Sequence, residues 1–275
     1  MGTITVTYKK RRKEYHFPET FNECNEKQFI ACCRYLLESS TGKNDSVKSK
    51  VENRFLKNFI PFEGRDFSRL DSFSKYKLLE QLDWILDQES IETISFLEPK
   101  IQKLKVGRVD LFGIHRNFGN VTWEEFIWAD QMFIDRNHNM LAAILYREPI
   151  KNYKGDRDIR VDFNRYQLGK RLKLIEKLPQ EVIFATLLQY KAMRNASLEL
   201  KYSEIFPEFV KTDNDSDTPD VDEIDVESKF SWVKVHQNIM GDDIINEKAL
   251  FKLNATTVLN NLNTRIYKNR RMPRG

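Results

Sequence analysis

The sequence predicts a mainly α fold: a multi-helix, bundle-like domain with one small β-hairpin at its N-terminus. Three observations predict it. Glycine and proline, the residues that interrupt helices, number only 10 and 8 among 275. Apolar residues recur at 3.6-residue spacing in one segment after another. Capping residues stand at the starts of those segments.

The best-signed helix start lies in the densest apolar stretch, residues 121–146. Thr122 reads as an N-cap with Glu125 three residues on, the pattern of a capping box. The Thr hydroxyl takes the amide of Glu125, and the carboxylate reaches back to the amide of Thr122. Val121 and Phe126 fall at the positions of a hydrophobic staple. Trp123, Phe126, Ile127, Phe133 and Ile134 share one helical face, and Asp130 falls on it. Arg136, Asn137, His138 and Asn139 break the pattern; Met140, Leu141, Ile144 and Leu145 restart it. This predicts helix, tight turn, helix.

The other elements follow in order. Ile4, Val6 and Tyr8 alternate, as do Tyr15 and Phe17, with the basic run Lys9, Lys10, Arg11, Arg12 and Lys13 between them. That is a hairpin with a charged tip, closed by Pro18, and it must pack on helices to be stable. Asn25 with Gln28 starts a helix whose buried face holds Phe29, Ile30, Cys32, Cys33, Leu36 and Leu37, the cysteines acting as core fillers. A helix through Val51, Phe55, Leu56 and Ile60 stops at Pro61. Asp71 or Ser74 caps the next, with Tyr76, Leu78, Leu79, Leu82, Ile85 and Leu86 as its apolar positions. Residues 97–120 read as a long loop with extended pieces, and 151–160 as a solvated loop with exposed ion pairs. Phe163, Tyr166, Leu168, Leu172, Ile175 and Leu178 mark a helix. Pro179 opens another through Val182, Ile183, Leu187, Tyr190 and Met193. Residues 211–228 are acidic and lack aromatics, which predicts a disordered tether. Beyond it, Trp232, Val235 and Ile239, then Leu250 and Phe251, then Val258, Leu259, Leu262 and Ile266 mark short helices ending in a basic tail. The expected division is a main body over 1–209, a linker over 210–228 and C-terminal helices over 229–275. Those last helices are too few to stand alone and are expected to dock on the body or on a partner.

Several chemistries fail on spacing. Gly42-Lys43 lacks the rest of a phosphate loop, because Leu37 stands at the first glycine position and Asn44 at the hydroxyl position. Asp213, Asp215 and Asp217 begin like a calcium loop, but Thr218 and Ile224 replace the required Gly and Glu. The cysteines are three, with Cys32 and Cys33 adjacent. They match no zinc spacing and point to reduced thiols in a cytoplasmic compartment. No apolar core of a signal peptide and no run of membrane-spanning length occurs, so no membrane partner is expected. His115, Asp130 and His138 are the candidate catalytic groups, yet they form no known spacing. The expectation is no catalytic residue, no metal and no cofactor.

The net charge is only +4, but it is unevenly spread. The hairpin cations Lys9, Lys10, Arg11, Arg12 and Lys13, with Arg265, Lys268, Arg270 and Arg271 near the C-terminus, are the candidate phosphate contacts. With Tyr15 or Tyr267 available for stacking, they support the alternative of a nucleic-acid-binding protein.

The segments YHFPETFNE, NFGNVTWEEFIWADQMF, MLAAILYREP, KLPQEVIFATLLQYKAMRNAS and SWVKVHQNIMGDD, taken with ALFKLNATTVLNNLN, carry a resemblance. The chain resembles helical proteins encoded by tailed phages and prophages, among which small tail-assembly proteins occur. The resemblance implies a non-enzymatic structural or virion-assembly role through protein–protein contacts, in the host cytoplasm or the virion. It carries no site residue.

Overall fold

A computed structural model describes residues 1–8, 11–40, 45–155, 158–199, 201–202, 204–205, 232–240 and 246–271. The fold is mainly α, with a small antiparallel hairpin at the N-terminus. Packing divides the chain into two units. One comprises residues 1–96 and 178–192; the other comprises 97–177 and 193–275. Residues 210–228, the expected linker, lie outside the described residues.

In the first unit, strands β1 (Gly2–Tyr8) and β2 (Arg11–Phe17) pair with Ile4 opposite Tyr15 and Val6 opposite Lys13. The alternation sends Val6, Tyr15 and Phe17 inward and leaves the threonines out. The hairpin is tied down by charge as well as by apolar burial. The Tyr15 hydroxyl donates to Asp66 Oδ2 at 2.5 Å, and Lys13 Nζ donates to Glu63 at 2.6 Å. The Tyr15 bond, against the opposing effect of burial, holds the Asp66 carboxyl below its ordinary range, and Lys13 and Arg69 add to it.

Helix α1 (Glu26–Ser39) starts on a complete capping box between Asn25 and Gln28. It buries Phe29, Ala31, Cys32, Cys33 and Tyr35. Burial pushes the Cys32 and Cys33 thiols well up, so they stay protonated as packing groups. Helix α2 (Asp45–Phe59) packs on α1, with the Tyr35 and Phe55 rings stacked at 4.4 Å. Short α3 (Asp66–Arg69) is followed by α4 (Ser72–Gln81), capped by the Asp71 side chain, and by α5 (Gln88–Glu92).

The second unit opens with a hairpin inside residues 97–120, where the sequence predicts a long loop with extended pieces. Strands β3 (Lys103–Val106) and β4 (Val109–Phe112) form a second hairpin. Its turn is the two-residue Gly107-Arg108 connection, in which Gly107 takes φ +60°. Helix α6 (Trp123–Ile134) and helix α7 (His138–Leu145) follow with the expected tight turn. The turn is a Schellman motif: Asn137 N–H donates to Met132 O and Arg136 N–H to Phe133 O, with Arg136 at φ +55°. Helices α8 (Leu168–Ile175) and α9 (Gln180–Arg194) come next, and Ala192 is the last α9 residue in the first unit. Helices α10 (Trp232–Met240), α11 (Glu247–Lys252) and α12 (Ala255–Arg271) complete the described chain.

The C-terminal helices dock on α6. Trp232 is fully buried, 5.6 Å from the Trp123 ring and 5.0 Å from the Phe126 ring. Trp123 N–H donates to Leu253 O, and Ala255 N–H donates to Val121 O. The Trp123 indole donates to His236 Nδ1 at 3.1 Å. An indole can only donate, so Nδ1 of His236 is the acceptor here, and its Nε2 faces Glu247 at 3.5 Å.

Candidate functional site

Among the described residues of the second unit, a cluster of charged side chains lies in the interior. Glu125 is fully buried, and its carboxylate accepts from Arg147 Nη2 at 2.9 Å and from Arg160 Nη1 at 2.8 Å. Arg160 also donates to Asp158, to Leu145 O and to Asn120 O. Arg171 donates to Glu148 and to Ala143 O. Local geometry delivers these groups. The chain leaves α7 extended, so Arg147 bridges to Phe112 at the end of β4, and Pro149 bridges to Arg160. The two bridges bring both guanidinium groups to Glu125 on the first turn of α6. Burial pulls the Arg147 guanidinium down to about 10, with Glu125 opposing that fall, so it remains charged at neutral pH.

This arrangement corrects two expectations. The capping box at Thr122 is half formed: the Thr122 hydroxyl takes the Glu125 amide at 3.3 Å, but the carboxylate is engaged by two arginines. The segment 151–160 is not merely a solvated loop with exposed ion pairs, since Arg160 is buried within the network. Asp156 and Arg157 of that segment lie outside the described residues.

The candidate catalytic groups have separate surroundings. Asp130 is fully buried on α6, clamped by Arg194 Nε at 2.8 Å and by the Trp232 indole at 2.5 Å. His115 is exposed and lines a cleft of about 260 Å³ with Glu98, Gln102, Phe112 and Arg116. His138 begins α7, half-buried, and desolvation, with Arg136 adding, lowers its pKa. A second cleft, of about 220 Å³, lies in the first unit between Phe21, Trp84, Ser90 and Thr93. No protein-family model, curated protein or solved structure matches the chain. Both clefts are small beside the 300–1,000 Å³, roughly, of ordinary ligand sites.

The candidate phosphate contacts are divided between the units. Lys9 and Lys10 lie outside the described residues, and of Arg11 the backbone alone is described, opposite Tyr8 in the hairpin. Arg12 pairs with Glu14, and Lys13 pairs with Glu63. On α12, Arg270 pairs with Glu204, and Arg271 lies over the Tyr267 ring at 4.2 Å. Arg265 and Lys268 are exposed, with no ion-pair partner among the described residues.

The sequence reading missed one exposed feature. On α4, Phe73 is 69% exposed and Tyr76 57% exposed. They stand three residues apart on one face, with Lys77 Nζ 5.8 Å and 5.9 Å from their ring centroids and bonded to Glu80 at 2.7 Å. Apolar spacing counts Tyr76 among the apolar positions of this helix, together with Leu78 and Leu82. The buried face is that of Leu78 and Leu82. Two residues on a helix turn the side chain through about 200°, so Tyr76 and Leu78 cannot share a face.

Proposed function

We propose that this chain is a non-enzymatic assembly protein that acts through protein–protein contacts, of the kind found among helical tail-assembly proteins of tailed phages. The observation that carries this reading is the aromatic stripe of Phe73 and Tyr76 on α4. Each such ring left in water forgoes roughly 1.5–3 kcal/mol of burial, and exposed aromatics of this kind are the usual anchors of a protein interface. The stripe suits a different polypeptide better than a second copy. Two aromatic rings bury roughly 300–500 Å², well short of the ~800 Å² per partner of a stable interface, so they fit as an anchor in a larger partner's apolar groove.

The test is the size of the complex holding the chain in the cells that produce it. The native chain is expected to sediment with a large assembly. The double variant Phe73→Ser/Tyr76→Ser should sediment as free chain, with its thermal midpoint within a few degrees of native because both positions are exposed. Unchanged sedimentation of the double variant contradicts the proposal.

A further inference from the structure

Helix α12 carries a second interaction surface, of different chemistry. Over Ala255–Arg271, ATTVLNNLNTRIYKNRR, there is no acidic residue. Its apolar side is buried in the second unit at Ala255, Val258 and Leu259 and half-buried at Leu262 and Ile266, so none of it is fully exposed. Its outer side over the last turns carries Asn260, Thr264, Tyr267, Lys268 and Arg271, with Arg265 at the rim. Of the four cations, Arg270 is engaged by Glu204, while Arg265, Lys268 and Arg271 have no carboxylate partner among the described residues.

We propose that this outer face binds the phosphate backbone of nucleic acid. Three features of the face select that partner. A lipid surface needs an apolar side to insert, and the apolar side of α12 is already covered within its own unit. Amides and hydroxyls interleaved with guanidinium groups suit phosphate and sugar oxygens, which accept many directed hydrogen bonds. The Tyr267 ring is 41% exposed but has the Arg271 guanidinium over it, so it serves to hold that cation rather than as a platform for stacking an unpaired base. The partner is therefore a duplex, bound without sequence preference. Cations in the last turn of a helix also complement its dipole, and the experiment separates that structural role from binding.

The full-length chain is titrated onto a fluorescently labelled 20-base-pair DNA duplex while anisotropy is followed at several salt concentrations. Three phosphate contacts predict a log–log salt slope of about −2.7, and a fall in affinity of about 40-fold between 50 and 200 mM salt. The triple variant Arg265→Ala/Lys268→Ala/Arg271→Ala should weaken binding at least tenfold and flatten the slope, with its helical circular dichroism retained. The hairpin variant Arg12→Ala/Lys13→Ala should bind like the native chain. The proposal is overturned if the triple variant binds normally, if it loses helical structure while binding is kept, or if the hairpin variant abolishes binding. It is equally overturned if a single strand is preferred to the duplex, or if phosphatidylserine vesicles are bound and the duplex is not.

Discussion

Glu125→Ala is expected to destabilise the second unit by about 3–5 kcal/mol, because it removes the fully buried carboxylate between two buried guanidinium groups and leaves them only the part-exposed carboxylate of Asp158. The cost does not come from the attraction alone. Taking three ions out of water is expensive, and the compact geometry of the network offsets that expense while every member is present. Arg160 reaches Glu125, Asp158 and two backbone carbonyls, and Arg147 reaches Glu125 from the other side. Losing Glu125 therefore strands charge, whereas a surface pair such as Lys77–Glu80 stays in contact with water and can be cut at little cost. Urea unfolding of the single variants and of the double variant Glu125→Leu/Arg160→Met checks the cause. The double variant should lose less than the sum of its single variants, because removing both partners strands fewer ions. A loss under about 1 kcal/mol for Glu125→Ala would show that water reaches the carboxylate.

Trp232→Ala should cost a comparable amount, about 3–5 kcal/mol for a large buried aromatic. Trp232 fills the space against Trp123 and Phe126 and donates to Asp130. Its loss leaves a cavity and removes one of the donors on a buried carboxylate. The consequence extends to the whole C-terminal segment, because α10 has Trp232 as its largest buried side chain. Cleavage of the native chain within 211–228 should leave two fragments that co-elute on a sizing column. The same cleavage of the Trp232→Ala variant should let them separate. Trp232→Phe, which keeps most of the packing and loses the indole donor, should fall between the two.

The elements set by local chemistry were legible in the sequence. Asn25 with Gln28, Asp71 and Thr122 each cap the helix that their position announces. The turn between α6 and α7 follows from the break in apolar spacing, and the burial of Trp123, Phe126 and Ile127 from the spacing itself. The second hairpin does carry a signal in the sequence: Gly107-Arg108 stands between the buried Leu104 and Val106 and the buried Leu111, the pattern of a two-residue turn between alternating strands. Arg160 was not legible. Its buried carboxylate partner stands 35 residues away on α6, and the neighbouring Asp158 does not distinguish a buried arginine from the exposed charges of its own segment. Glu125 shows the same limit from the other side, since the spacing that makes it a capping acid cannot reveal a competing pair of arginines. The α4 stripe was obscured by treating Tyr76 as one more apolar residue, although its angular position sets it against Leu78.

The proposed partner site is the pair of exposed rings on α4, Phe73 and Tyr76. A photo-crosslinking amino acid placed at position 73, in the cells that produce the chain, tests it most directly. A second copy of the experiment places it at position 166, where Tyr166 is 84% exposed on the 3₁₀ turn before α8. If the rings of α4 are a partner site, position 73 gives one discrete adduct, whose partner is a structural component of an assembled particle, and position 166 gives none of comparable yield. Equal adducts at both positions, or none at position 73, would contradict it.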